Sequence, residues 1–246
     1  MIAKIFKSIA VVTFILLAAP VSTMPVQAQE NKSPYPAMAP LDRYLIADRD
    51  QEIALAKSAA PPALSSDASV MVLEKDGYHT AIEGKNGFTC IVERGWMSPL
   101  DSTDFWNPRL RGPICYNPPA VRSILPYTIL RTKLILSGMT KDQLADNIRS
   151  QLANGLLPLP EAGAMSYMMS KDQYLGDGPG HWHSHLMFHL PRGMGAASWG
   201  ANLDGSPVVF DTDHHVLGPE PETIFMVPVD HWSDGTPADD SAAHQH

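Results

Sequence analysis

An α+β fold with a mainly antiparallel sheet is predicted by three features of the sequence. Short β-prone runs surround Asp76-Gly77 and Asn86-Gly87, two helix-length apolar repeats occupy the middle of the chain, and β-prone runs return after Pro160. Strands, then helices, then strands again read as segregated elements, unlike the strict alternation of a parallel α/β sheet. One globular domain is expected over residues 41–232, with an N-terminal helix and a helical hairpin beside the sheet.

The first residues have the three parts of an export signal. Lys4 and Lys7 form a basic segment, residues 9–19 are apolar apart from Thr13, and Val26-Gln27-Ala28 offers small or modest side chains for cleavage after Ala28. The apolar run falls well short of the roughly 20 residues a spanning helix needs. Residues 1–28 are therefore expected to be a signal peptide, the alternative being an uncleaved anchor, and the mature protein to be periplasmic or secreted. No cysteine lies near Ala28, which disfavours a lipid anchor. No later segment is apolar for long enough to suggest stable membrane insertion.

Residues 29–40, polar and proline-rich, read as a flexible arm. Asp50 is expected to cap a helix through Glu52, Ile53, Leu55, Ala56 and Lys57, which Pro61-Pro62 stops. Residues 70–73, 78–82 and 88–92 follow as β-prone runs. The Asp-Gly and Asn-Gly pairs between them are strong hairpin signals, so a three-stranded antiparallel meander is predicted, with Cys90 on its third strand.

Residues 95–119 lack a periodic pattern and carry Trp96, Phe105, Trp106 and Tyr116 with Arg109 and Arg111. A loop this long is uncommon unless it is functional or pinned down. Exposed, its rings would make a binding platform; buried, they would fill a satellite core beneath the loop.

After Pro126, residues 127–137 read as a helix ending at Gly138. Thr140 and Gln143 then form a capping box, Leu144, Ile148 and Leu152 repeat on one face, and Gly155 marks the stop. Residues 164–169, 181–190, 206–210 and 223–229 are candidate strands. The tail over 233–246 is small, polar and acidic, and is expected to be disordered.

Composition narrows the partners. The net charge of −8 becomes more negative without Lys4 and Lys7, which excludes the basic footprint of a nucleic-acid binder and disfavours an anionic membrane surface. The 22 prolines point to long ordered loops. The only cysteines, Cys90 and Cys115, read as one disulfide in an oxidising compartment or as two separate buried thiols. Pairing would leave no thiolate for a nucleophile.

His79 apart, the ten histidines lie at or after His181. His181, His183, His185 and His189 alternate with Trp182, Leu186, Phe188 and Leu190, and glycine and proline on both sides favour a strand. Neighbours at i and i+2 sit roughly 7 Å apart along a strand, close enough for two imidazoles to share a metal, whereas i and i+4 are too far. The pairs His181 with His183, or His183 with His185, are thus candidate ligands for a divalent metal such as zinc. Asp211, Asp213 and His214 in the acidic turn 211–215 are the proposed further ligands, with His231 and Glu161 as weaker choices. The competing reading is a polar strand face, which Met187 on the same side suggests is partly packed.

His183-Ser184-His185 resembles the His-Ser-His of the JAMM metalloproteases, but Gly193 and Ala196 stand where that family carries a serine and an aspartate. The same His-x-His is similar to the first cupin motif, yet His189 and Leu190 occupy the region where cupins place a glutamate. The chain from residue 29 onward resembles exported bacterial proteins of unassigned role, a likeness that implies no function. There is no G-x-S-x-G elbow, P-loop, C-x-x-C or haem-attachment motif.

The expected role is an exported domain that binds a divalent metal or small molecule through its C-terminal β half. The alternatives are a metal-dependent hydrolase, and a non-catalytic protein that binds an envelope component through the loop 95–119.

Overall fold

The protein is described by a computed structural model covering residues 34–178, 182–193, 195–210 and 221–238. The expected signal peptide and its cleavage at Ala28 lie outside these residues.

The α+β class holds. Among the described residues, eight strands form one sheet: β1 (Ser69–Glu74), β2 (Gly77–Ile82), β3 (Thr89–Glu93), β4 (Gly112–Tyr116), β5 (Met165–Met168), β6 (His185–Pro191), β7 (Val209–Phe210) and β8 (Glu222–Pro228). Their spatial order is β2-β1-β3-β4-β5-β6-β8-β7. Every neighbouring pair is antiparallel except β1 and β3, which run parallel over Ser69↔Thr89 and Val70↔Cys90.

That parallel pair corrects the predicted meander. The Asp76-Gly77 turn does join β1 to β2, but Asn86-Gly87 does not fold β3 back onto β2. Asn86 instead donates through Nδ2 to Leu64 O at 2.7 Å and accepts from Phe88 N at 3.0 Å, tying the connection to the segment before β1. Gly84 packs so closely there that a Cβ would lie 2.1 Å from Ser69 N, so a side chain at this position cannot be accommodated. The chain therefore crosses to the far side of β1. Burial supplies the drive: Thr89, Cys90, Ile91 and Val92 are all buried, and such a strand needs neighbours on both edges and cover on both faces.

The loop 95–119 also differs from expectation, because it contains β4. Gly112 and Pro113 hide this strand in the sequence, leaving only Ile114, Cys115 and Tyr116 as β-prone residues. Cys90 and Cys115 face each other across β3 and β4 and form the disulfide.

Helices cover both faces of the sheet. On one, α1 (Arg49–Lys57) contributes Ala56 to a small-residue cluster with Ala59, Ala60, Val70, Val92 and the disulfide. Its cap is Asp48, two residues before the predicted Asp50; the Asp48 side chain accepts from the N–H groups of Asp50 and Gln51. Pro61 precedes a further turn, α2 (Pro62–Ser65), because proline is well tolerated at the start of a helix.

On the other face lie α3 (Pro118–Ser123), α4 (Leu125–Leu136) and α5 (Lys141–Ala153). Pro126 sits in the first turn of α4 and does not delay it. Gly138, at φ +88°, ends that helix in the left-handed region, and the Thr140–Gln143 capping box forms as predicted. Leu144 and Ile148 are fully buried on the inner side of α5. The segment 233–238, expected to begin a disordered tail, makes a hydrogen-bonded turn in which Ser233 N donates to Met169 O at 2.8 Å and Asp234 pairs with Lys171.

Candidate functional site

The histidine run divides at His185. Strand β6 starts there, so His183 precedes the ladder and does not pair with His185 through strand spacing. The His185 ring is buried, with Trp182 edge-on at 4.5 Å, and its Nδ1–H donates to the His183 carbonyl at 2.7 Å. Loss of solvent lowers its pKa from the usual 6.5 to about 4, so it is a neutral packing group at ordinary pH.

His181, Asp211, Asp213 and His214 lie outside the described residues. Of the weaker ligand choices, Glu161 is held by Arg122 in an exposed ion pair, and His231 bonds Asp230 on the surface. Among the described residues, the group whose donor atoms approach closely enough for one cation is Glu74, Asp76 and His79, which are all exposed beside the β1–β2 turn. Neither His183 nor His185 belongs to it.

The aromatic loop is not an exposed platform. Trp96, Phe105, Trp106 and Tyr116 are all buried in the main core. Trp96 Nε1 donates to Thr132 Oγ1 at 3.1 Å, and Arg131 lies over the Phe105 ring at 5.5 Å. Of the two arginines, Arg109 pairs with Asp177 at the surface, while Arg111 donates to the carbonyls of Pro108 and Leu110.

A different constellation forms on the sheet face beneath α3 and α4. A cavity of about 170 Å³ lies there, lined by apolar groups including Met97, Ile114, Ile124, Met168, Met187 and Ile224. Glu93, Tyr116, Thr128, His189 and Glu222 also line it. Strand alternation places them: Ile114 and Tyr116 share one face of β4, Met187 and His189 one face of β6, Glu222 and Ile224 one face of β8. Met97, Pro99 and Ile224 keep some solvent exposure, which locates the approach to the cavity.

Two hydrogen-bonded groups meet around this space. In the first, Tyr116 Oη donates to Glu93 Oε1 at 2.6 Å and lies 3.2 Å from Thr128 Oγ1. Tyr116 pairs in the ladder with Thr89, four residues before Glu93, so its side chain must lie along the strand to reach that carboxyl. Burial raises Glu93 to about 7, against the opposing pull of the Tyr116 hydrogen bond and of His189 and Arg131. Burial and the adjacent Glu93 also hold the Tyr116 hydroxyl well above its ordinary value, so it remains a donor.

In the second group, His189 Nδ1 is 2.5 Å from Glu222 Oε2, and His189 Nε2 is 2.8 Å from Ser166 Oγ. A carboxylate at Nδ1 assigns the proton to that nitrogen and leaves Nε2 to accept from the serine hydroxyl. Ser166 stands between Tyr116 on β4 and Met187 on β6, its direct ladder partners, both of which line the cavity. Ser166, His189 and Glu222 are 0%, 2% and 7% exposed, so the network is buried.

Of these residues the sequence had singled out only His189, as a fourth member of the histidine face, and Tyr116, as a loop ring. Acids at alternating positions of otherwise apolar strands, Ile91 with Glu93 and Glu222 with Ile224, are the signal that marks the others. No protein-family model, no curated protein and no solved structure matches the chain.

Proposed function

We propose that the protein binds a small, largely apolar and uncharged molecule bearing a carbonyl-type oxygen, in the cavity between the sheet and α3–α4. The supporting observation is that Glu93, Tyr116, Thr128, His189 and Glu222 all line one apolar space, with Ser166 hydrogen-bonded to His189 behind its wall. A concave apolar pocket with a few aimed polar groups and a carboxyl of raised pKa has the attributes of a binding or catalytic site.

Size and charge set the ligand class. An apolar cavity of about 150 Å³ accepts a benzene-sized guest, so this one suits a single ring or a short acyl chain. Two carboxyl groups line it, which disfavours anions. Protonated Glu93 donates to Tyr116 Oη in place of accepting from it, which frees the Tyr116 hydroxyl proton for a carbonyl oxygen. The export pattern at the N-terminus and the buried disulfide support a location outside the cytoplasm.

Ligand-observed NMR with short methyl esters and methyl ketones tests this reading. Saturable binding is expected, lost in Met187→Trp, whose indole fills the cavity. No binding by any of these compounds to the folded, oxidised protein would overturn it.

A further inference from the structure

We infer that Ser166, His189 and Glu222 form an acyl-transfer triad that hydrolyses small uncharged esters held in this cavity. The inference rests on the proposed ligand site and assigns it a reaction.

The roles follow from which atom meets which. A serine nucleophile needs a base at its Oγ, and that base needs its second nitrogen held by a carboxylate. Here Nε2 meets Ser166 and Nδ1 meets Glu222, so each imidazole nitrogen is assigned to the partner that this chemistry requires. The residues come from three strands, β5, β6 and β8, that are neighbours in the ladder, so backbone hydrogen bonds fix their spacing. Buried polar networks of this kind are costly to hold in apolar surroundings. A purely structural role would also leave unexplained why His189 and Glu222 line a cavity with a second acid, Glu93, at its wall, while Ser166 lies directly behind them against His189.

The reaction balances with water as the only co-reactant. Ser166 Oγ bonds to the ester carbonyl carbon as its proton passes to His189 Nε2. The ester C–O bond then breaks, and the alcohol leaves with that proton. Water next adds to the acyl carbon while His189 Nε2 takes its proton; the Oγ–C bond then breaks as Nε2 returns that proton to Ser166 Oγ, and the carboxylic acid departs. Glu222 holds the imidazole in its Nδ1–H form and stabilises the transient imidazolium. When Glu93 is protonated and donates to Tyr116 Oη, the Tyr116 hydroxyl proton is released to serve the developing oxyanion.

Charge decides the substrate class. A neutral ester enters beside Glu93 and Glu222 without repulsion, whereas its carboxylate product meets two acids and is expelled. Ser166 has no exposed surface, so Met168 on its own strand and Met187 on neighbouring β6 must change rotamer to admit the substrate, as flexible thioether side chains can.

The test exposes the oxidised protein to diisopropyl fluorophosphate, which traps an activated serine as Oγ–P with release of fluoride. One adduct per chain is expected, mapped to Ser166 by peptide mass spectrometry and formed at least tenfold more slowly in Glu222→Gln. Hydrolysis of p-nitrophenyl acetate should fall at least a hundredfold in Ser166→Ala. Mapping on the wild-type chain decides the matter even if a variant fails to fold. Methyl esters that still bind while Ser166 stays unmodified would overturn the triad and leave the cavity reading intact; loss of ester binding as well would overturn both.

Discussion

His189 Nδ1 and Glu222 Oε2 lie 2.5 Å apart across neighbouring strands β6 and β8, and both side chains are almost completely buried. Ladder register brings them together from positions separated by 33 residues. Replacing Glu222 by Leu leaves the His189 Nδ1–H without its acceptor, a loss of about 1–3 kcal/mol. Glu222→Gln retains an acceptor oxygen and should lose distinctly less. Urea denaturation compares the two, and equal losses would contradict a hydrogen bond that orients His189.

Glu93 and His185 give stability opposite pH dependences. Glu93 is raised from 4.5 to about 7, so its contribution is complete below pH 4.5 and is lost as pH rises through 7. His185 is lowered from 6.5 to about 4, so its contribution is present above pH 6.5 and is lost as pH falls toward 4. In Glu93→Gln the first effect disappears. Relative to wild type, the variant should gain on the order of 1–3 kcal/mol between pH 4.5 and 7. A constant difference across that range would show that Glu93 titrates normally.

On the opposite face, Glu52 Oε1 accepts from Arg94 Nη2 at 2.8 Å and from Leu73 N at 3.1 Å. This fully buried ion pair joins α1 to β1 and to the residue that follows β3. Removing only the acid in Glu52→Ala strands the guanidinium, at a cost of about 3–5 kcal/mol. The double variant Glu52→Leu with Arg94→Met should recover part of that loss. Chemical denaturation of the single and double variants measures it, and a single variant as stable as wild type would contradict the assignment.

The disulfide joins residues 25 apart in sequence. Its removal in Cys90→Ala with Cys115→Ala should cost about 3 kcal/mol on the chain-entropy account. The transition in urea should shift accordingly, and titration of the denatured, unreduced wild type should find no free thiol. Two titratable thiols would contradict the bond.

Local rules reached the helices well. The capping box at Thr140, the stop at Gly138 and the apolar stripe of Leu144 and Ile148 are all short-range patterns. Strand partners were less legible, because Asn86-Gly87 satisfies a hairpin signal while Asn86 spends its side chain on Leu64. The covering of Cys90 and Ile91 then depends on β4, which Gly112 and Pro113 disguise.

The candidate site was largely hidden for the same reason. Alternation correctly grouped His185, Met187 and His189 on one face, but it suggested metal ligands where the structure buries a neutral His185. His189 acquires its character from Ser166 and Glu222, which reach it only through pairing of β5 and β8 with β6. Neither residue carries a local motif. Glu93 likewise becomes distinctive only when Tyr116 turns along the sheet to meet it.

The most direct test of the account is a crystal structure of the oxidised protein soaked with a short methyl ketone, an uncleavable counterpart of the ester. The ketone is predicted to lie between α4 and the sheet, its oxygen toward Tyr116 and Thr128 and its carbonyl carbon next to Ser166. A cavity closed by Met168 and Met187, with no ketone in it at saturating concentration, would contradict the central claim.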